Sequence, residues 1–187
     1  MEWDKKRNNC QMFDFLRILI KFFDQNNISY MLSGSVAMST YTLPRFTRDF
    51  DFIVHLKKGD ASQLAAHFKE GYYCDEDAIQ EAVQKKGMFN IIDYKSNYKA
   101  DFVILKDEPY RQEEFLRRRQ IDFQDMKIYI VSPEDLLLSK LIWIQQLQSS
   151  QQMEDIKLLT GITDLDWKYI HHWIKTLKLN TFDLIKT

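Results

Sequence analysis

Apolar residues at Met12, Phe15, Leu16, Leu19, Phe22 and Phe23 recur at helical spacing, which predicts a helix over residues 11–27 that ends in Asp-Gln-Asn-Asn. A short apolar run over 28–33 then reads as a strand leading into the turn Gly34-Ser35, and 35–43 is compatible with a helix broken before Pro44. The period changes to two at Asp49-Phe50-Asp51-Phe52-Ile53-Val54, the signature of a strand with two unlike faces. Helical patterns follow at 59–71 and 75–87, the second with acids at its start and lysines at its end, as the helix dipole favours. Residues 88–105 predict a hairpin around Lys95-Ser96-Asn97, residues 111–120 a short polar helix, and 121–132 a second hairpin.

From Ser132 the pattern is helical. Ser132 is a cap residue, Pro133 suits the first helical position, and Glu134-Asp135 fill the first turn. Two further helical segments occupy 151–161 and 166–179. The expected organisation is therefore a mixed α/β core with an N-terminal helix over 1–131, and a helical segment over 132–187 packed on it. Five Gly and three Pro leave little room for a flexible linker between them.

Composition narrows the function classes. In 187 residues, 26 Lys and Arg oppose 27 Asp and Glu, so no global charge drives binding to nucleic acid or anionic membrane. Cys10 and Cys74 give neither a disulfide framework nor metal-ligand spacing. No apolar run approaches the ~20 residues that cross a bilayer, and the charged start shows no signal peptide, so a cytoplasmic setting without membrane partners is expected.

Alternation places Asp49, Asp51 and Ile53 on one strand face and Phe50, Phe52 and Val54 on the other. In Lys99-Ala100-Asp101-Phe102-Val103-Ile104, Asp101 faces away from Phe102 and Ile104. Neighbouring strands with matched apolar faces bring Asp101 near Asp49 and Asp51. Three carboxylates on one face repel unless a cation binds, and Mg²⁺ (or Mn²⁺) is a natural partner for hard oxygen ligands. The turn at Gly34-Ser35 would present backbone N–H groups suited to phosphate. The plainer alternative is an exposed acid pair bridged to Arg45 and Arg48. Arg117-Arg118-Arg119 invites an RNA-binding reading, but Glu113-Glu114 before it favours a solvated helix with i,i+4 pairs. Met31, Met38 and Met88 read as core filler, and Trp167 and Trp173 around His171-His172 as a helix face against the core.

Gly34-Ser35, the segment Pro44-Arg45-Phe46-Thr47-Arg48 leading into Asp49-Phe50-Asp51, and Asp101 together resemble the nucleotidyltransferase superfamily that shares the fold of DNA polymerase β. Within it the sequence looks most like the small bacterial AbiEii-like and minimal nucleotidyltransferases, over roughly residues 28 to 160. That resemblance implies a mixed, mostly antiparallel sheet with flanking helices and a helical C-terminal segment. It implies metal-dependent transfer of a nucleoside monophosphate from an NTP such as ATP to a hydroxyl, with release of pyrophosphate. Asp49 and Asp51 would hold metal, and Asp101 would hold a second ion and help deprotonate the acceptor. Gly34 and Ser35 would bind the triphosphate, with Arg45, Arg48 and Lys140 as counter-charges. Lys140 and Asp155 match the late motifs of the group, although Gln-Met-Glu stands before Asp155 where relatives have Arg. The implied acceptor is a tRNA 3′ end, a protein or a small molecule such as an aminoglycoside. The group also includes toxins held by antitoxins, and a homo-oligomer is a further expectation. A catalytically silent nucleotide- or partner-binding module of the same fold is the alternative.

Overall fold

The computed structural model describes residues 2–44 and 47–185, with side chains from Met12 onward. Helix α1 (Glu2–Gln25) leads into strand β1 (Ser29–Ser33), the short helix α2 (Gly34–Met38) and strand β2 (Asp49–His55). Then come α3 (Asp60–His67), β3 (Tyr72–Tyr73), α4 (Glu76–Lys85), β4 (Met88–Asp93), β5 (Lys99–Ile104) and α5 (Pro109–Leu116). A hairpin of β6 (Arg119–Phe123) and β7 (Met126–Ile130) precedes α6 (Pro133–Ile144), α7 (Ser150–Thr160) and α8 (Trp167–Thr176).

The seven strands form one sheet in the order β3-β4-β5-β2-β1-β7-β6. Four neighbouring pairs are antiparallel, while β2–β5 and β1–β7 are parallel. This is the expected mixed, mostly antiparallel sheet. Register turns the sequence alternation into two rows across it. Phe89, Phe102, Phe52 and Leu32 are successive cross-strand partners, and the row beside them is Asn90, Asp101, Asp51 and Ser33. The aromatic row meets α1. Phe23 lies 5.6 Å from Phe52 and 6.0 Å from Phe102, ring centroid to ring centroid. Fully buried Phe, Leu and Met side chains make this layer the centre of the core, each worth roughly 1.5–3 kcal/mol of burial.

Several expectations are corrected. Helix α1 begins at Glu2, well before the apolar pattern starts at Met12. Helix α2 starts on Gly34 itself and stops at Met38; the hydroxyls of Ser39 and Thr40 donate to the carbonyls of Val36 and Ala37 and close the turn. The edge strand Tyr72–Tyr73 is too short to leave a period-two pattern. Met88, at the start of β4, is exposed rather than core, whereas Met31 and Met38 are buried. The arginine run belongs to no solvated helix. Arg117 bonds Asp135 and Glu134, Arg119 reaches Glu134, and Arg118 lies over the Phe115 and Tyr129 rings. The expected Ser132 cap is present, accepting from Asp135 N–H, and Asp75 caps α4 in the same way by accepting from Ala78 N–H. The C-terminal helices pack on the core, with Trp173 5.0 Å from Tyr110. Among the described residues no helix is long and apolar enough to cross a membrane.

Candidate active site

The strand-turn-helix β1–α2 bends at Gly34, where φ is +61°. A Cβ there would sit 1.8 Å from Asp51 Oδ2 and 2.5 Å from its Cγ. Glycine is thus required twice: for the left-handed backbone and for the close approach of the Asp51 carboxylate. Gly34→Ala is expected to cost roughly 2 kcal/mol or more of stability, as strain and clash add, and to displace Asp51. Urea denaturation measures the first effect and nucleotide binding the second.

Parallel pairing of β2 and β5 sets Asp51 directly beside Asp101, and Asp49 beside Lys99. Even spacing along each strand puts all four on one sheet face. Lys99 Nζ donates to Asp101 Oδ2 at 2.7 Å and lies 3.9 Å from Asp49 Oδ1. Burial, followed by the charges of Asp101 and Asp49, pushes the Asp51 carboxyl above the usual carboxylate range, and Lys140 and Lys99 offset this in part. Lys99 is raised, first by its hydrogen bond to Asp101. The repulsion foreseen for the acids is therefore relieved in part by a lysine of the chain itself.

Beside Asp51 opens a cleft of about 450 Å³ between the acidic sheet face and α6. Gly34, Ser35, Asp51, Lys140 and Trp143 are among its walls. Asp49 and Asp101 share the sheet face with Asp51 but do not line the cleft. Lys140 is only 6% exposed; its ammonium donates to Asp155 Oδ2 at 2.8 Å and Gln152 Oε1 at 3.0 Å. Asp155 is fully buried and lies behind Lys140, where it fixes the lysine rather than facing the cleft. Arg48 is exposed on the approach to β2, its carbonyl accepting from Lys99 N–H at 3.2 Å. Arg45 lies outside the described residues.

Three cleft residues escaped the sequence reading. Arg111 Nη1 donates to Glu114 Oε2 at 2.8 Å and to Ser139 Oγ at 2.7 Å, joining α5 to α6. Glu114 has no exposed surface, and burial pushes its carboxyl up despite Arg111. The i,i+3 spacing of Arg111 and Glu114 was visible; their meeting with Ser139 was not. Lys99, by contrast, stands two residues before Asp101 and was readable as a same-face neighbour.

Among the described residues no group of three or more Asp, Glu, His or Cys side chains is gathered closely enough to hold a metal ion. The donor chemistry nonetheless fits a hard divalent cation. All candidate ligands are carboxylates, they share one face, and one of them is held toward its neutral form by burial and by the other two.

No curated protein matches the chain in sequence. Solved structures share its fold. The antibiotic-resistance factor ANT(2'')-Ia aligns with a TM-score of 0.59 at 14% identity, over 91% of this chain and 92% of that one. The same factor in complex with adenylyl-2''-tobramycin gives 0.56 at 13%, over 90% and 97%. An antigenic nucleotidyltransferase-like protein from Paracoccidioides brasiliensis gives 0.56 at 17%, over 89% and 86%. A family model described as a nucleotidyltransferase of unknown function (DUF6036) matches residues 11–184, nearly the whole chain. The superfamily foreseen from Gly34-Ser35 and the acid pair is thus confirmed, and the chain belongs to this nucleotidyltransferase family.

Proposed function

We propose that the chain transfers a nucleoside monophosphate from an NTP to the hydroxyl of a small molecule and releases pyrophosphate. One observation carries the reading: the register that sets Asp51 against Asp101, with Gly34 pressed on Asp51 at the mouth of a cleft of ligand size. The acceptor oxygen bonds to the α-phosphorus, the bond from that phosphorus to the bridging oxygen breaks, and the hydroxyl proton passes to Asp101. Ser35 and the Gly34 backbone meet the triphosphate, and Lys140, held by Asp155, supplies fixed positive charge from α6. Arg48 and Arg45 counter phosphate charge from the segment entering β2. Asp49, Asp51 and Asp101 would hold Mg²⁺ or Mn²⁺, which when bound offsets charge on the transferring phosphoryl group and on the attacking and leaving oxygens. In such transfers the protein mainly positions groups and stabilises charge.

The small acceptor is supported by the cleft volume and by the adenylylated tobramycin in the structurally similar ANT(2'')-Ia. The test is incubation with each labelled NTP, Mg²⁺ and three acceptor pools: hydroxylated small molecules including aminoglycosides, tRNA, and protein. Label in the first pool with stoichiometric pyrophosphate is the expected result. Label confined to tRNA or protein would replace the acceptor class and bring in the toxin-like reading, in which an antitoxin partner or self-association would show by light scattering. A second reading, a silent nucleotide-binding module, is favoured by one feature: the Lys99 ammonium already seated among the acids. Thermal stabilisation by NTP without label in any pool would establish it.

A further inference from the structure

Asp49, Asp51 and Asp101 carry three carboxyl groups on one sheet face, and Lys99 places an ammonium among them. The nearby Lys140 is held by its own buried partner, Asp155. The arrangement of Lys99 follows from β pairing: it stands opposite Asp49 on the parallel strand and two residues before Asp101 on its own. From there it reaches both along the two edges of the two-by-two array, with Asp51 at the diagonal corner. Its side chain is 36% exposed, so bulk water is open to it, and yet the ammonium turns inward to the carboxylates.

An ammonium and a hard divalent cation make opposite demands on Asp101. The ammonium donates a hydrogen to the oxygen at 2.7 Å, whereas a metal needs that oxygen's lone pairs and repels the ammonium. Both cannot be satisfied at the same oxygen. We propose that Lys99 is a built-in counter-cation that keeps the acids assembled in the metal-free protein, and that a divalent ion must displace from Asp101. Lys99 is a positioning residue in this role. It holds Asp101 in place before metal arrives, and it lowers metal affinity by competing for the same charge. Loading is then favoured when metal arrives with the nucleotide, whose phosphates supply alternative anionic partners for the displaced ammonium. This inference rests on the proposed metal reading of the three acids.

Mn²⁺ uptake by the full chain without nucleotide, followed by the loss of the free-ion paramagnetic resonance signal, tests it with no recourse to activity. Lys99→Met is expected to tighten Mn²⁺ binding by roughly threefold to tenfold, the scale of a partly exposed ion pair. Lys85→Met, the same charge change on α4, is expected to leave it within about twofold, since that exposed ammonium is paired with Glu81 on its own helix and touches none of the three acids. Lys99→Arg should stay near the wild-type affinity, because a competing cation is retained. Equal or weaker Mn²⁺ binding by Lys99→Met, with only a lowered melting temperature, would reduce Lys99 to a strand salt bridge and overturn the proposal. An equal gain in Lys85→Met would also overturn it, by showing a general field effect. No Mn²⁺ uptake by any form, wild type included, would overturn the metal reading and this inference with it.

Discussion

Asp51→Asn should lower nucleotidyl transfer by roughly a thousandfold, the scale seen when a preorganised charge contact at a reacting centre is lost, and at the same time raise the melting temperature in metal-free buffer at pH 7. The two effects have one origin. The Asp51 carboxylate is pressed on Gly34 and flanked by Asp49 and Asp101, so its charged form is disfavoured by burial first and by those neighbours second. A carboxyl whose folded pKa lies above its unfolded value, about 3.9 for Asp, binds more protons in the native state than in the unfolded chain. Stability therefore falls as pH rises above the unfolded value, and the penalty is present at neutral pH. Asn mimics the protonated form and removes the penalty. The gain in melting temperature is expected to be largest at neutral pH and to vanish near pH 4 and below. Calorimetric melts of both proteins in a chelating buffer across that range check the sign. A variant that melts lower than wild type at pH 7 would make Asp51 a structural group, and one that keeps full transfer would remove it from the active site.

The same residues show what a sequence displays and what it hides. Alternation over Asp49–His55 assigned the faces of that strand because a half-buried strand writes its two environments in the chain at period two. Matching the Phe faces of two such strands was enough to bring Asp101 to Asp51, as the register shows. Local signals also marked the Ser132 cap, since a cap satisfies a backbone N–H only three residues away. Side-chain partnerships across long chain separations were hidden. Arg117, Arg118 and Arg119 looked like a solvated run because local charge pattern records only i,i+4 neighbours, while Glu134 and Asp135, the acidic partners of Arg117 and Arg119, come from another helix, and Arg118 rests on the Phe115 and Tyr129 rings. Asp155 was readable as a candidate for the site but not as the buried partner behind Lys140, which depends on how α7 packs on α6. The length of α2 was misjudged for a local reason, hydroxyl back-bonding by Ser39 and Thr40, to which apolar periodicity is blind.

Asp135 is the site of the largest expected stability loss. Its carboxylate is fully buried at the first turn of α6. Oδ2 accepts from Arg117 Nε at 3.1 Å and from the Ser132 hydroxyl at 2.6 Å, and Oδ1 accepts from the Tyr169 hydroxyl at 2.7 Å. The Arg117 guanidinium lies 3.8 Å from the Tyr169 ring centroid, so one carboxylate joins the end of α5, the start of α6 and helix α8. Asp135→Ala removes the acceptor from three donors at once and leaves a half-buried guanidinium with Glu134 at 3.5 Å as its remaining ionic partner. Breaking a buried pair in this way costs about 3–5 kcal/mol; partial exposure of Arg117 puts the expected loss near the lower end, at about 3 kcal/mol. Arg117→Met alone should cost less, because the cation removed is partly solvated and the carboxylate keeps Ser132 and Tyr169. The double variant should be less destabilised than the sum of the singles by more than about 1 kcal/mol, the coupling expected of groups in one network. Urea unfolding of the four proteins closes the cycle. Additive losses would show that Arg117 and Asp135 act independently, and a loss below about 1 kcal/mol for Asp135→Ala would show that the three helices are held by their apolar contacts alone.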